Sequence, residues 1–101
     1  MTTQTERSEP QNGPSTQAGQ NIHRFMIHAE AEASTLSRVI ELFALRDLIP
    51  DEVSCKRAGD DGLHIHIAIT GVPENQAANL ADRMRNIIPV MRVVLEPAPH
   101  A

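Results

Sequence analysis

Aromatic side chains are scarce in this sequence: its 101 residues include no tryptophan, no tyrosine and two phenylalanines. Domains that read RNA on an open β-sheet stack the bases on aromatic side chains, so this composition disfavours that class. A net charge of −4 disfavours binding to nucleic acid or to an anionic membrane surface. The sequence also lacks a positively charged start followed by an apolar run, and it lacks any segment as long as a membrane span. We therefore expect a cytoplasmic protein.

Cysteine is equally scarce, since Cys55 is the only one. It can form no internal disulfide, and a soft-metal site built from paired thiols is excluded. The strand pattern around Cys55 predicts a half-buried small hydrophobic residue. A glycine-rich phosphate loop and a Ser, His and Asp set with a nucleophile turn are also missing. We therefore expect no catalytic residue, no cofactor and no enzymatic activity.

Apolar residues are distributed unevenly along the chain. The first twenty residues contain no valine, isoleucine, leucine or phenylalanine. Such a segment cannot bury enough apolar surface to offset the entropy of ordering it. The sequence thus predicts a disordered tail over 1–20, one folded domain over 21–96 and a short C-terminal tail over 97–101.

A strand followed by an amphipathic helix occurs twice in the predicted domain. Apolar residues alternate in His23–His28 and again in Leu63–Ile69, which is typical of strands. Helical spacing then relates two sets of apolar residues, Leu36, Val39, Ile40 and Phe43 in the first half and Ala77, Leu80, Met84 and Ile87 in the second. With further strands at Asp51–Arg57 and Val90–Leu95, the predicted element order is βαββαβ.

Capping and turn residues indicate where these elements begin and end. Ser34 is the expected N-cap of the first helix, because its hydroxyl can accept a hydrogen bond from a first-turn amide. Pro73 suits the first position of the second helix, where a missing N–H costs nothing, and Pro89 is expected to end that helix. The run Gly59–Gly62 predicts the hairpin turn between strands two and three.

This order predicts an α+β, ferredoxin-like fold: a four-stranded antiparallel sheet with two helices on one face and the first and third strands central. Alternation places Leu63, Ile65, Ile67 and Ile69 under the helices. The open face of the sheet then receives His64, His66 and Ala68. Many unrelated functions use this fold, so individual sites must decide between them.

Three histidines are candidates for a metal site. Antiparallel pairing of the central strands makes His28 and His64 neighbours on the open face, with His66 one pleat further along. Three imidazoles could bind zinc or respond to pH. Ordinary surface or interface histidines are the favoured interpretation, because no carboxylate is placed to orient the rings. We therefore expect no metal.

The run Ala31–Arg46, with Leu-Ser-Arg-Val at Leu36–Val39 followed by Leu42, Phe43 and Arg46, supports a resemblance to a known family. It resembles the first loop and helix of ACT domains, specifically those in the small subunits of acetolactate synthase (acetohydroxyacid synthase). The resemblance implies a regulatory subunit without chemistry of its own. Such subunits form homodimers of side-by-side sheets, activate the large thiamine-diphosphate-dependent subunit and in many members bind a branched-chain amino acid.

The resemblance also implies a ligand site, made of the loop Glu32, Ala33, Ser34, Thr35 and Leu36 together with Ile49. The family usually has Pro-Gly before the helix and often Gly, an aromatic residue and Asn after it, whereas this chain has Ala33-Ser34 and Asp47-Leu48-Ile49. A side chain at Ser34 obstructs close approach to the backbone, and Ile49 offers no polar contact. These departures predict an altered pocket, although amides at a helix N-terminus still favour a carboxylate.

Two other functions remain open at this point. One is a free-standing ACT-domain dimer that binds an amino acid or other small molecule in a different pathway. The other is an assembly domain whose ligand site has been lost. Copurification with a large thiamine-diphosphate enzyme would support the regulatory subunit, and titration with amino acids would separate the other two.

Overall fold

Strands and helices alternate as predicted in the computed structural model, which describes residues 22–97. The predicted tails at 1–20 and 97–101 lie outside this range, except for Pro97. The elements are β1 (Ile22–Glu30), α1 (Ala33–Ala44), β2 (Glu52–Ala58), β3 (Gly62–Thr70), α2 (Glu74–Arg85) and β4 (Val90–Glu96). This order confirms the predicted βαββαβ arrangement.

The four strands form one antiparallel sheet in the order β2-β3-β1-β4, so β1 and β3 are central as predicted. Phe25 on β1 lies opposite Ile67 of β3 on one side and opposite Leu95 of β4 on the other. A register shift between His28 and Ala29 interrupts the pairing of β1 with β4. Both crossovers through helices lie over the same face of the sheet, and no other segment of residues 22–97 covers the opposite face.

The core lies between that face and the two helices. The rings of Phe25 on β1 and Phe43 on α1 meet edge to face, with centroids 5.7 Å apart and an interplanar angle of 87°. This geometry is the one that aromatic quadrupoles prefer. The predicted inward residues of β3 are all buried: Leu63, Ile65, Ile67 and Ile69. Val39, Ala77, Leu80 and Met84 are buried from the helices, and Leu36, Ile40 and Ile87 are partly buried against the core.

Strand β2 is an exposed edge. Six of its seven residues are exposed, including Val53, Cys55 and Arg57 on the side that faces the helix layer. The prediction that Cys55 is half-buried is therefore wrong, because the helices do not reach over this strand and the thiol is exposed.

The helices begin and end at slightly different residues from those predicted. The N-cap of α1 is Glu32 rather than Ser34, because the chain turns into the helix directly after β1, and no side chain caps the first turn. Pro73 is the N-cap of α2 rather than its first residue, since its ψ of 154° is still extended. Helix α2 ends at Arg85, before the proline at position 89.

The end of α1 requires an unusual backbone conformation at Asp47, whose φ is +58°. The Leu48 amide donates to the Phe43 carbonyl at 2.9 Å and the Asp47 amide donates to the Ala44 carbonyl at 3.0 Å. These two bonds form a Schellman motif, in which glycine usually occupies the left-handed position.

Two buried side chains carry polar atoms without a partner among the described residues. His23, on the inward face of β1, is 2% exposed and neither ring nitrogen has a hydrogen-bond partner. Thr35, in the first turn of α1, is fully buried and its hydroxyl is equally unpaired. Such groups cost stability unless a partner or ligand satisfies them.

Candidate functional site

The connection from β1 to α1 lies against the turn between β2 and β3. The Ala31 amide donates to the Asp61 carbonyl of that turn at 2.8 Å. On the other side, the Glu30 amide donates to the Pro89 carbonyl, also at 2.8 Å. These bonds hold the first turn of α1 beside the predicted hairpin at Gly59–Gly62.

A cleft lies between these two segments. A cavity of about 300 Å³ is lined by Ala31, Glu32, Ala33, Arg57 and Leu63. A neighbouring cavity of about 340 Å³ shares three of those residues and is lined by Glu30, Ala31, Glu32, Arg57, Asp60 and Asp61. We call the two together the Arg57 cleft, because this guanidinium borders both.

Charges of both signs surround the Arg57 cleft. The guanidinium of Arg57 donates one hydrogen bond to the Asp60 carbonyl at 3.2 Å and has no ion-pair partner within residues 22–97. Guanidinium groups bind carboxylates bidentately. The uncapped first turn of α1 adds backbone amides that favour an anion. Four carboxyl groups stand against this single cation: Glu30, Glu32, Asp60 and Asp61.

The predicted ligand loop is only partly assembled around the cleft. Glu32 and Ala33 line it, whereas Ser34 is exposed, Leu36 is partly buried and Thr35 is buried with an unpaired hydroxyl.

Ile49 does not meet this loop within one chain. It lies beyond the other end of α1, a helix of 12 residues and therefore about 18 Å long. Its side chain is 86% exposed.

Arg57 was not among the site residues predicted from the sequence. Its position just before the hairpin was a usable signal, because the predicted strand order already places that turn beside the end of β1. Its pairing partner across the hairpin is Leu63, which supplies an apolar wall of the cleft.

The histidines on the uncovered face are placed as predicted. His28 and His64 are cross-strand partners, with ring centroids 4.1 Å apart, and His66 lies one pleat further along β3, opposite Met26. The pKa of His28 is lowered below its ordinary value, first by partial burial and then by the neighbouring His64 ring and Arg92 guanidinium. Within the described part of the chain, no group of three or more His, Cys, Asp or Glu residues is placed to hold a metal ion.

No helix within residues 22–97 combines the length and the apolar character that crossing a bilayer requires.

One protein family and several solved structures are similar to this chain. A family model described as an ACT-like domain matches residues 16–101. The solution structure of the ACT domain from GTP pyrophosphokinase of Chlorobium tepidum has a TM-score of 0.65 and 14% identity, covering 81% of this chain and 93% of that one. The C-terminal domain of MgtC from Mycobacterium tuberculosis has a TM-score of 0.63 and 14% identity, with coverage of 79% and 89%.

A third similar structure is that of an uncharacterised protein from Thermotoga maritima, with a TM-score of 0.62, 14% identity and coverage of 75% and 94%. No curated protein matches the chain by sequence. At this level of identity the structures show a shared fold alone.

Proposed function

The chain belongs to the ACT-like domain family, and from that premise we propose that it is a non-catalytic regulatory subunit that binds an amino acid in the Arg57 cleft. The observation that carries the proposal is the pairing of opposite charges there. Arg57 and the uncapped amides of α1 can hold a carboxylate. The acidic side chains around Asp60 can hold an ammonium group.

The charge balance of the cleft selects the ligand class. Four carboxyl groups repel a simple carboxylate, so the ligand must bring a positive charge as well. A free α-amino acid has both charges close together. The apolar walls formed by Ala31, Ala33 and Leu63 suit an aliphatic side chain, which favours valine, leucine or isoleucine.

Side-by-side pairing of two copies completes this site. Strand β2 presents an edge that no described strand pairs, and two exposed apolar residues, Val53 on this strand and Ile49 shortly before it, lie along it. Arg57 lies at one end of β2 and Ile49 precedes the other end. Antiparallel pairing of two β2 strands therefore brings Ile49 of one copy to the Arg57 cleft of the other, and we propose this homodimer as the functional unit.

The proposed catalytic partner is the large subunit of acetolactate synthase. Support for it comes from the resemblance of Leu36–Val39 and the following residues to the small subunits of that enzyme. The role of the chain would be to activate the large subunit and to report the level of a branched-chain amino acid.

Binding is tested by calorimetry and by the melting temperature with valine, leucine and isoleucine. A ligand at a thousand times its Kd adds about 4 kcal/mol to the free energy of unfolding. Arg57→Ala is expected to abolish the heat of binding, whereas Arg38→Ala, on the exposed face of α1, preserves it. Isovalerate, which lacks the ammonium group, is expected not to bind. Equal binding by wild type and Arg57→Ala would refute this site.

The substitutions Ser34→Gly and Ile49→Asn restore the family pattern in the loop and after α1. They are expected to tighten binding, because glycine admits the carboxylate to the helix amides and asparagine adds a polar contact. Lost binding in Ser34→Gly would instead show that the serine hydroxyl holds the ligand.

The partner is tested by pyruvate turnover of a matched large subunit with and without this chain. We expect no turnover by the chain alone and a faster large subunit in its presence. Amino-acid binding without any response of the large subunit would favour a free-standing ACT dimer of another pathway. Failure of both assays would favour an assembly domain without a ligand.

A further inference from the structure

The sheet face opposite the helices, here called the open face, carries charges of opposite sign at its two ends. The pairing register aligns its side chains in rows that cross all four strands. The row at one end begins with Glu52 on β2, includes Arg24 on β1 and finishes with Glu96 on β4. The row at the other end begins with Lys56 on β2 and finishes with Arg92 on β4. The four side chains that end these rows are exposed, as is that of Arg24.

The middle of the open face carries less charge, with Arg24 as the exception. Met26, His66 and Val94 share the central row with the exposed Ser54 and are half-buried, although no described helix covers them. Ala68, in the adjacent row, is 5% exposed. A centre with little charge inside a charged rim is the usual anatomy of a protein interface.

We propose that a second copy of this chain packs on the open face about a two-fold axis that runs along the central row. This axis reverses the strands while keeping β2 over β2 and β4 over β4. Lys56 then meets Glu52 of the second copy, and Arg92 meets its Glu96. Because the contact is isologous, each pair forms twice, and Met26 packs against its own counterpart.

The other two-fold arrangement with aligned strands is unfavourable. An axis parallel to the strands would place β2 over β4, so that Lys56 meets Arg92 and Glu52 meets Glu96. Four like-charge pairs would result, and such juxtapositions oppose association. The charge pattern therefore selects one packing, and it is compatible with the angle of about 30° between aligned sheets.

One contact in the selected packing would be repulsive if both groups were charged. His28 lies in the row of Lys56 and Arg92 and faces Arg24 of the second copy. The lowered pKa of His28 favours its neutral imidazole near neutral pH, and this removes the repulsion.

The size of the open face predicts weak association. Four strands at about 4.8 Å spacing give a width of about 19 Å, and five residues at about 3.4 Å give a length of about 17 Å. The projected area is small for a stable interface, which buries about 800 Å² on each partner. We therefore expect association at micromolar to millimolar concentration. The proposed side-by-side dimer leaves this face free, so both contacts together would give a tetramer.

Two charge-reversal variants of the full chain test the proposal by sedimentation velocity. Lys56→Glu/Arg92→Glu makes all four rim residues acidic, and Glu52→Lys/Glu96→Lys makes them all basic. As the protein concentration increases, wild type is expected to show a step to a higher sedimenting mass. Neither variant alone is expected to show this step. An equimolar mixture is expected to regain that step, since every rim pair is then attractive.

A matched control carries the same charge change elsewhere. Arg38→Glu/Arg83→Glu, on the exposed faces of the helices, leaves the open face unchanged and should show the same step as wild type. Should a double variant fail to fold by circular dichroism, Lys56→Glu and Glu52→Lys replace the pairs in the same scheme.

The proposal is overturned if the variants associate like wild type, if their mixture stays as light as its components, or if Arg38→Glu/Arg83→Glu also loses the step. It is also overturned if wild type shows no concentration-dependent step. None of the substituted residues lines the Arg57 cleft.

Discussion

His28 and His23 lie on opposite faces of β1, and their imidazole rings have different surroundings. The His28 ring contacts that of His64 across the strands, with ring centroids 4.1 Å apart. The His23 ring is buried on the inward face, and neither of its nitrogens has a hydrogen-bond partner within residues 22–97.

His28 should make stability depend on pH. Its pKa is lowered in the folded protein from a value of about 6.5 when unfolded. As pH falls through this value, the unfolded state binds the proton first, so the free energy of unfolding decreases until the folded pKa is passed. Between pH 7.5 and pH 5, the melting temperature of His28→Gln is expected to decrease less than that of wild type. The decrease for His64→Gln is expected to be intermediate. Parallel losses in all three proteins would contradict this.

His23→Leu should stabilise the domain. Leucine has a similar volume and removes two buried ring nitrogens that have no partner within residues 22–97. An unsatisfied buried polar group costs about 1–3 kcal/mol, so we expect a gain of about 1–2 kcal/mol in urea denaturation. His66→Leu, on the half-buried open face, is the control and should change stability much less. A destabilised His23→Leu would show that the imidazole has a favourable partner.

Elements were predicted more reliably than their boundaries. The βαββαβ order and both helix faces follow from apolar periodicity, which many residues share. A boundary depends on a few local bonds instead. Ser34 has the right chemistry for an N-cap, yet the bonds of Glu30 and Ala31 to neighbouring segments turn the chain earlier and make Glu32 the cap. Those neighbouring segments are remote in sequence, so local capping rules could not include them.

The C-terminal end of α1 offers a test of such a boundary. Asp47 has a left-handed φ of +58°, which costs a residue with a Cβ more than it costs glycine. We expect Asp47→Gly to raise stability by about 0.5–1 kcal/mol, and a domain of this size then melts several degrees higher. Asp47→Val should melt lower than wild type, because a β-branched residue tolerates this conformation least. The opposite ranking in thermal unfolding would show that the Asp47 side chain itself stabilises the turn.

The candidate site lies where segments that are distant in the sequence meet. This explains why the site was harder to predict than the fold. The loop Glu32–Leu36 was identified from its resemblance to a family. Arg57 became part of the site only through the contact between the hairpin and the start of α1. Ile49 lies at the other end of α1, so its role depends on a second chain, and a single sequence contains no direct signal of that geometry.

The edge strand β2 therefore connects assembly with ligand binding. Val53 is 42% exposed on the inward side of this edge, where the proposed side-by-side dimer would cover it. A lysine on an edge strand is a common natural protection against pairing. We expect Val53→Lys to remain folded, because an exposed position contributes little to the core, while its mass by light scattering falls from dimer to monomer at micromolar concentration. Glu41→Lys, on the exposed face of α1, introduces the same side chain away from β2 and should remain dimeric.

Since Ile49 of one copy completes the cleft of the other, Val53→Lys should also weaken amino-acid binding in calorimetry. A dimeric Val53→Lys protein would place the contact elsewhere, and a monomeric one with unchanged binding would show that the Arg57 cleft is complete within a single chain.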